Sequence, residues 1–295
     1  IDAVKDCGVD AVKFQTHIAD QESSEDDKFR TDGFHQDKTR FDYWKRMEFT
    51  HDQWSELKKH ADDAGLIFLS TPFSIKALDI LQKIGVEAWK IGSGDTNNIQ
   101  LIDYAIDTKK PLLISTGMSD FEELDSITKR IKSKGNDFAL FQCTTSYPCK
   151  AEEVGYNIIE ELKLRFNCPV GLSDHTGEIY PSLSAVTLGA KIIETHVVFS
   201  KQSFGPDVTS SLDLDQLKDM VRGIRFIEKG LNNKIDKNFA ANKRSATKIL
   251  FSRSAYYSED QEKGTEFKEN SFIMKKPGGG LSYDEVKKFI GKKIK

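Results

Sequence analysis

The sequence predicts an α/β barrel of the (β/α)8 kind, followed by a small loop-rich domain. Three observations carry this expectation. One theme recurs, in which a helical stretch ends at Gly or a polar cluster and a β-prone run then ends in polar residues. From the second run onward the repeat is about 20–30 residues, the length of one β/α unit. The theme stops after a helix around residues 215–229, and a different texture begins at Lys243-Arg244-Ser245.

The β-prone runs lie at residues 8–15, 65–70, 85–92, 111–115, 138–142, 169–173 and 190–194. The Gly that opens several of them suits a left-handed helix C-cap. Their continuous apolar character suits strands buried on both faces of a parallel sheet. Seven strands fall one short of the eight that close such a barrel. Residues 1–8 read as the last turns of a helix, which a strand should precede. The expectation is therefore that the first strand is missing from this sequence. The alternative is an open seven-stranded, doubly wound sheet. Residues 17–50 form a polar and aromatic excursion with Phe41-Asp42-Tyr43-Trp44-Lys45-Arg46-Met47, read as an elaborated βα loop. Such loops carry function in barrels. The boundaries follow: a barrel over 1–230, a polar linker over 231–243 and a second domain over 244–295. In that last segment Pro277 and three glycines in sequence demand a turn.

Composition narrows the function. The formal net charge is −3, with no basic stripe and no zinc-finger spacing, which argues against a nucleic-acid partner. No apolar run approaches the ~20 residues of a membrane span, and no signal peptide opens the chain. The four cysteines, Cys7, Cys143, Cys149 and Cys168, form no metal-type pair and read as reduced thiols of a cytoplasmic protein.

The chemistry sits at the strand ends, which in a parallel barrel share one face. Lys13, Gln15 and His17 follow the first run, Ser70 and Thr71 the second, and Lys90, Ser93 and Asp95 the third. Ser115 and Thr116 follow the fourth, and Thr144, Thr145 and Tyr147 the fifth. Ser173, Asp174 and His175 close the sixth, and Glu194 and His196 the seventh. Two lysines among so many hydroxyls suit a phosphate, because Lys supplies point charge and Ser and Thr donate hydrogen bonds. Any single hydroxyl could instead be a helix cap. His175 and His196, on adjacent strand ends, can share one divalent metal with other positions left open for catalysis. The alternative is a pair of hydrogen-bonded core histidines. Glu194 lies two residues before His196, on the same strand face, and could orient a metal-bound water or a substrate hydroxyl. Asp207, in Phe204-Gly205-Pro206-Asp207, lies on a turn near that pair and could bind a substrate hydroxyl; the alternative is a structural turn residue.

Several distinct short runs lie in order along nearly the whole chain. They include Asp10-Ala11-Val12-Lys13-Phe14-Gln15-Thr16, Ser70-Thr71-Pro72-Phe73-Ser74, Lys90-Ile91-Gly92-Ser93-Gly94-Asp95 and Ser115-Thr116-Gly117-Met118. They continue with Cys143-Thr144, Tyr147-Pro148, Gly171-Leu172-Ser173-Asp174-His175, Glu194 with His196, and Gly205-Pro206-Asp207. Together these resemble the sialic acid synthase family, enzymes that make nonulosonic acids. Residues 244–295 resemble that family's antifreeze-like SAF domain, a β-clip, with Lys275-Lys276-Pro277-Gly278 at its substrate-facing loop.

The resemblance implies a (β/α)8 barrel that condenses phosphoenolpyruvate with an open-chain N-acyl mannosamine-type sugar. It implies Mn²⁺ or Mg²⁺ on His175 and His196, and phosphoenolpyruvate on Lys13, Thr71, Lys90, Ser93, Ser115 and Ser173. It implies that Tyr147, Asp207 and Lys276 face the sugar, with Gln15 and Thr145 also on the substrates. Glu194, Lys90 and Asp95 form the implied catalytic set. It further implies a homodimer in which the small domain of one subunit caps its partner's barrel. Four departures stand out. The family's Ala-Glu-Ile-Gly strand, with its essential Glu, is absent. Asp95 replaces a longer Glu, Thr145 stands where Asn is frequent, and Lys276 replaces Arg, losing bidentate hydrogen bonding. The last two bear on the sugar, which leaves legionaminate-type and pseudaminate-type precursors open. Octulosonate- and heptulosonate-type synthases lack the small domain. A vestigial carbohydrate-binding barrel is the alternative from another class.

Overall fold

The computed structural model describes residues 1–29 and 36–295. All seven expected strands form: β1 (Ala11–Thr16), β2 (Ile67–Pro72), β3 (Trp89–Ile91), β4 (Leu112–Ser115), β5 (Phe138–Cys143), β6 (Val170–Asp174) and β7 (Ile192–Val197). An eighth, β8 (Ser211–Leu212), is two residues long, too short to show a period in sequence. Every pairing among them is parallel. β3 to β8 form one sheet in chain order, and β1 and β2 form a separate pair. β2 lies beside β3. Among the described residues the ladders do not close into a ring.

Amphipathic helices cover the sheet because each carries an apolar stripe at helical spacing. The helix Ile75–Ile84 buries Leu78 and Leu81, the helix Ile99–Asp107 buries Ile102 and Ile106, and the helix Phe121–Ser133 buries Ile127 and Ile131. These meet Phe68, Trp89, Ile91, Leu112 and Ile114 in one core. Full burial of each such side chain contributes about 1.5–3 kcal/mol. The helix ends match their sequence signals. Ser74 accepts from the Ala77 amide at one end of Ile75–Ile84, and Gly85 closes the other end at φ 87°, where its N–H bonds to Leu81 O. Parallel winding with a helix after most strands leaves the strand C-termini on one face.

The excursion after β1 holds two helices, Ala19–Glu22 and Arg40–Met47; its residues 30–35 lie outside the described residues.

The chain divides into compact units at Ile1–Asn232 and Asn233–Lys295. In the second unit β9 (Ser254–Tyr257) and β10 (Phe272–Lys275) pair antiparallel. The helix Tyr283–Lys287 starts at a capping box of Ser282 and Glu285, and Val286 is buried. The stretch 231–243, expected to be a polar linker, instead forms a helix at Lys237–Lys243. Asp236 caps it by accepting from Asn238 N and Phe239 N. A short helix that buries no side chain leaves no apolar stripe, so its sequence reads as linker.

Candidate active site

One carboxylate gathers the ends of several strands. Glu194 Oε1 lies 3.6 Å from Lys90 Nζ and 3.7 Å from Lys13 Nζ. Ser173 Oγ donates to the same oxygen at 3.2 Å. Register explains this contact, because Ser173 and Glu194 are direct partners in the β6–β7 ladder. Lys90 Nζ also donates to Ser115 Oγ at 2.7 Å, so β1, β3, β4, β6 and β7 all contribute. Lys90 is only 3% exposed. Burial pushes its pKa below the ordinary Lys value, and the Glu194 charge opposes that shift. Burial alone would raise Glu194, but Lys13, Lys90 and His196 outweigh it and bring it down to about 2. Glu194 is therefore ionised at neutral pH.

A layer of hydroxyls sits on the neighbouring loops. Ser93 Oγ accepts from Gly117 N at 3.1 Å. A Cβ on Gly117 would meet Thr145 Oγ1 at 2.5 Å, Ser93 Oγ at 3.0 Å and Cys143 O at 3.0 Å. Gly117 thus lets the loops after β3, β4 and β5 converge, and brings Thr145 to the same place as Ser93. Thr71 is buried, and with Asp95 it flanks Gly92. Burial raises the Asp95 pKa; Asn98 lowers it and the Glu22 charge raises it further. Gln15 lies opposite Thr71 in the β1–β2 ladder and is exposed.

The two histidines meet beside this cluster, with ring centroids 5.4 Å apart and planes tilted by 46°. His175 Nδ1 lies 2.9 Å from Thr144 O. A carbonyl can only accept, so Nδ1 carries the proton and Nε2 keeps its lone pair. Burial brings His175 down to about 4, so it is neutral near pH 7. Burial likewise lowers His196, whose Nδ1 is 3.8 Å from Asp207 Oδ2. Tyr147 stacks on His175 at 4.1 Å and stands edge-on to His196 at 6.0 Å.

This donor set fits a divalent ion. A neutral imidazole with its second nitrogen fixed by a carbonyl is the usual form of a ligating His. With His–metal bonds of about 2 Å, two rings at this separation can reach one ion. Among the described residues, no cluster of three or more His, Cys, Asp or Glu side chains forms a fuller cage.

Of the residues singled out in the sequence, Lys13, Lys90, Ser115, Ser173 and Glu194 form one contact network. Ser93 and Thr145 converge at Gly117, and His175, His196, Tyr147 and Asp207 form a second group. Lys276 belongs to the second unit, where its ammonium lies over the Phe251 ring at 5.1 Å. One feature escaped the sequence. His17 is sandwiched between Trp44, at 3.7 Å, and Phe73, at 4.4 Å. Its Nδ1 lies 2.7 Å from Glu22 Oε1. His17 was visible as a strand-end residue, but no period or motif marks Glu22 or pairs Trp44 with Phe73.

Comparison with known proteins agrees with this geometry. The NeuB family pattern matches residues 1–236. The chain is 31% identical to N,N'-diacetyllegionaminic acid synthase of Legionella pneumophila, over 99% of this chain and 84% of that protein. It is 33% identical to pseudaminic acid synthase of Campylobacter jejuni, over 99% of this chain and 86% of that protein. The crystal structure of N-acetylneuraminic acid (sialic acid) synthetase from Leptospira borgpetersenii superposes with a TM-score of 0.74 at 28% identity, over 85% of this chain and 84% of that one. The parallel sheet is accordingly the curled, barrel-like sheet of that fold. The chain belongs to the NeuB family, the phosphoenolpyruvate-dependent nonulosonic acid synthases.

Proposed function

We propose that the protein condenses phosphoenolpyruvate with an open-chain N-acyl mannosamine-type sugar and releases phosphate and a nonulosonic acid. The observation that carries this reading is the Glu194 carboxylate held by Lys13, Lys90 and Ser173 on strands adjoining the His175–His196 pair.

Lys13, Lys90, Ser93, Ser115, Ser173 and Thr71 hold phosphoenolpyruvate. Their cations and hydroxyl donors face a dianionic group and stabilise it as it leaves. C3 of phosphoenolpyruvate attacks the aldehyde carbon of the sugar, and C2 becomes cationic. Water adds at C2 and its proton is released. The C2–O bond then breaks, and phosphate departs with its bridging oxygen. Glu194, ionised beside this centre, stabilises the cation or orients the water. Asp95 serves the same set on the third strand end. His175 and His196 would hold Mn²⁺ or Mg²⁺, which would supply Lewis-acid polarisation of the sugar aldehyde. Tyr147, Asp207, Thr145 and Gln15 contact the sugar, and Lys276 faces the sugar bound in the partner's barrel. Within the second unit, residues 244–295 form the SAF-type β-clip, and a homodimer in which this segment caps the partner's barrel completes the assembly.

A second reading concerns the acceptor alone. The 31–33% identities extend over almost the whole chain to synthases of legionaminic and pseudaminic type. A diacetamido-trideoxy hexose is therefore the other acceptor to test. The test is phosphate release from phosphoenolpyruvate with Mn²⁺ across a panel of N-acyl sugars, with the product mass measured. Release with one sugar names the acceptor. No release with any sugar, from folded protein, moves the reading to a carbohydrate-binding barrel without chemistry.

A further inference from the structure

We infer that Glu22 is a specificity-determining residue for the acceptor sugar, taking a hydrogen bond from an N–H or O–H of that sugar, and that the stacked His17 positions it. This inference rests on the synthase reading above. Neither residue belongs to the phosphate or histidine clusters.

Three observations support it. The Glu22 side chain is 9% exposed, and its Oε2 is buried with no hydrogen-bond partner among the described residues, while Oε1 is engaged by His17 Nδ1 at 2.7 Å. A buried carboxylate oxygen without a donor costs free energy unless a ligand supplies one. Second, the group is held rigidly. His17 leaves the end of β1 and is clamped face to face between Trp44 of the helix Arg40–Met47 and Phe73 at the end of β2, with interplanar angles of 12° and 10°. Two aromatic faces fix the ring, and the ring fixes the carboxylate. Third, Glu22 lies near enough to Asp95 for its charge to be felt there. Two neighbouring carboxylates suit a ligand rich in donors. Phosphoenolpyruvate carries a carboxylate and a phosphate and would be repelled. An amino sugar offers several hydroxyls and an amide N–H.

The test uses full-length protein with Mn²⁺, phosphoenolpyruvate and the sugar that wild type turns over. In Glu22→Gln the amide oxygen can stay on His17, which turns an NH₂ toward the sugar's donor. The expected result is a rise in KM for the sugar of about 10- to 100-fold, the loss of one hydrogen bond to a charged group. KM for phosphoenolpyruvate should stay within about twofold, since uniform loss of one substrate's binding leaves the other intact. Glu22→Ala should behave alike. His17→Phe keeps the stack but removes the nitrogen, and should raise the sugar KM by a smaller factor. Equal rises for both substrates, or an unchanged sugar KM in both Glu22 variants, would overturn the assignment while leaving the synthase intact. No phosphate release by wild type with any sugar would overturn the synthase reading and this inference with it.

Discussion

Two parts of the strand-end face differ in how their side chains are held. At β3, β4, β6 and β7 the polar groups hold one another: Lys90 and Ser173 are each 3% exposed and both contact Glu194. On the loops after β5 and β7 the groups stand open, with Tyr147 46% and the Asp207 side chain 40% exposed. A buried network keeps its geometry without a ligand, and fixed donors are what charge stabilisation requires. Open loop residues can be exchanged at little cost to the fold, and they suit recognition of a variable acceptor. The difference divides the proposed work, with shared chemistry in the interlocked part and exchangeable sugar contacts in the open part; the clamped Glu22 belongs to neither.

Breaking the interlocked part should have the largest effects. Glu194→Gln should lower kcat by about 10²- to 10⁴-fold, as removal of a catalytic carboxylate does. It should also lower the melting temperature, because Lys90 then stays buried without its counter-ion. A residual kcat within tenfold of wild type would remove Glu194 from the chemistry. Lys90→Ala should raise KM for phosphoenolpyruvate by about 10- to 100-fold and leave the sugar KM nearly unchanged. Equal loss for both substrates would count against its phosphate role. Gly117→Ala forces a methyl into Thr145, Ser93 and the Cys143 carbonyl. It should cost about 1–3 kcal/mol in chemical denaturation, the usual penalty of overpacking.

Changes in the open part should be milder and confined to the sugar. Tyr147→Ala should raise the sugar KM by about tenfold, the worth of one aromatic contact. It should also leave the unfolding midpoint almost unmoved. A large loss of stability would show that its stack on His175 is a structural contact first.

The same division governs what could be read from the residues. The seven strands were legible because buried parallel strands are continuous apolar runs, and Gly8, Gly65 and Gly85 marked the helix ends at positive φ. The Lys13, Lys90, Glu194 and histidine sets were legible because each sits at a strand end, where winding brings them together. Three things were not. β8 is too short to carry a period. The helix Lys237–Lys243 buries nothing and so looks like a linker. The Trp44–His17–Phe73 stack joins residues from separate segments of the chain, and no local pattern announces such a contact.

The most direct measurement is sugar-dependent phosphate release from phosphoenolpyruvate by wild type and His196→Ala, titrated with Mn²⁺ after chelation. Wild type should lose turnover on chelation and regain it with metal, and the folded variant should stay inactive at every metal concentration. Full turnover by His196→Ala, or by the chelated wild type, would contradict it.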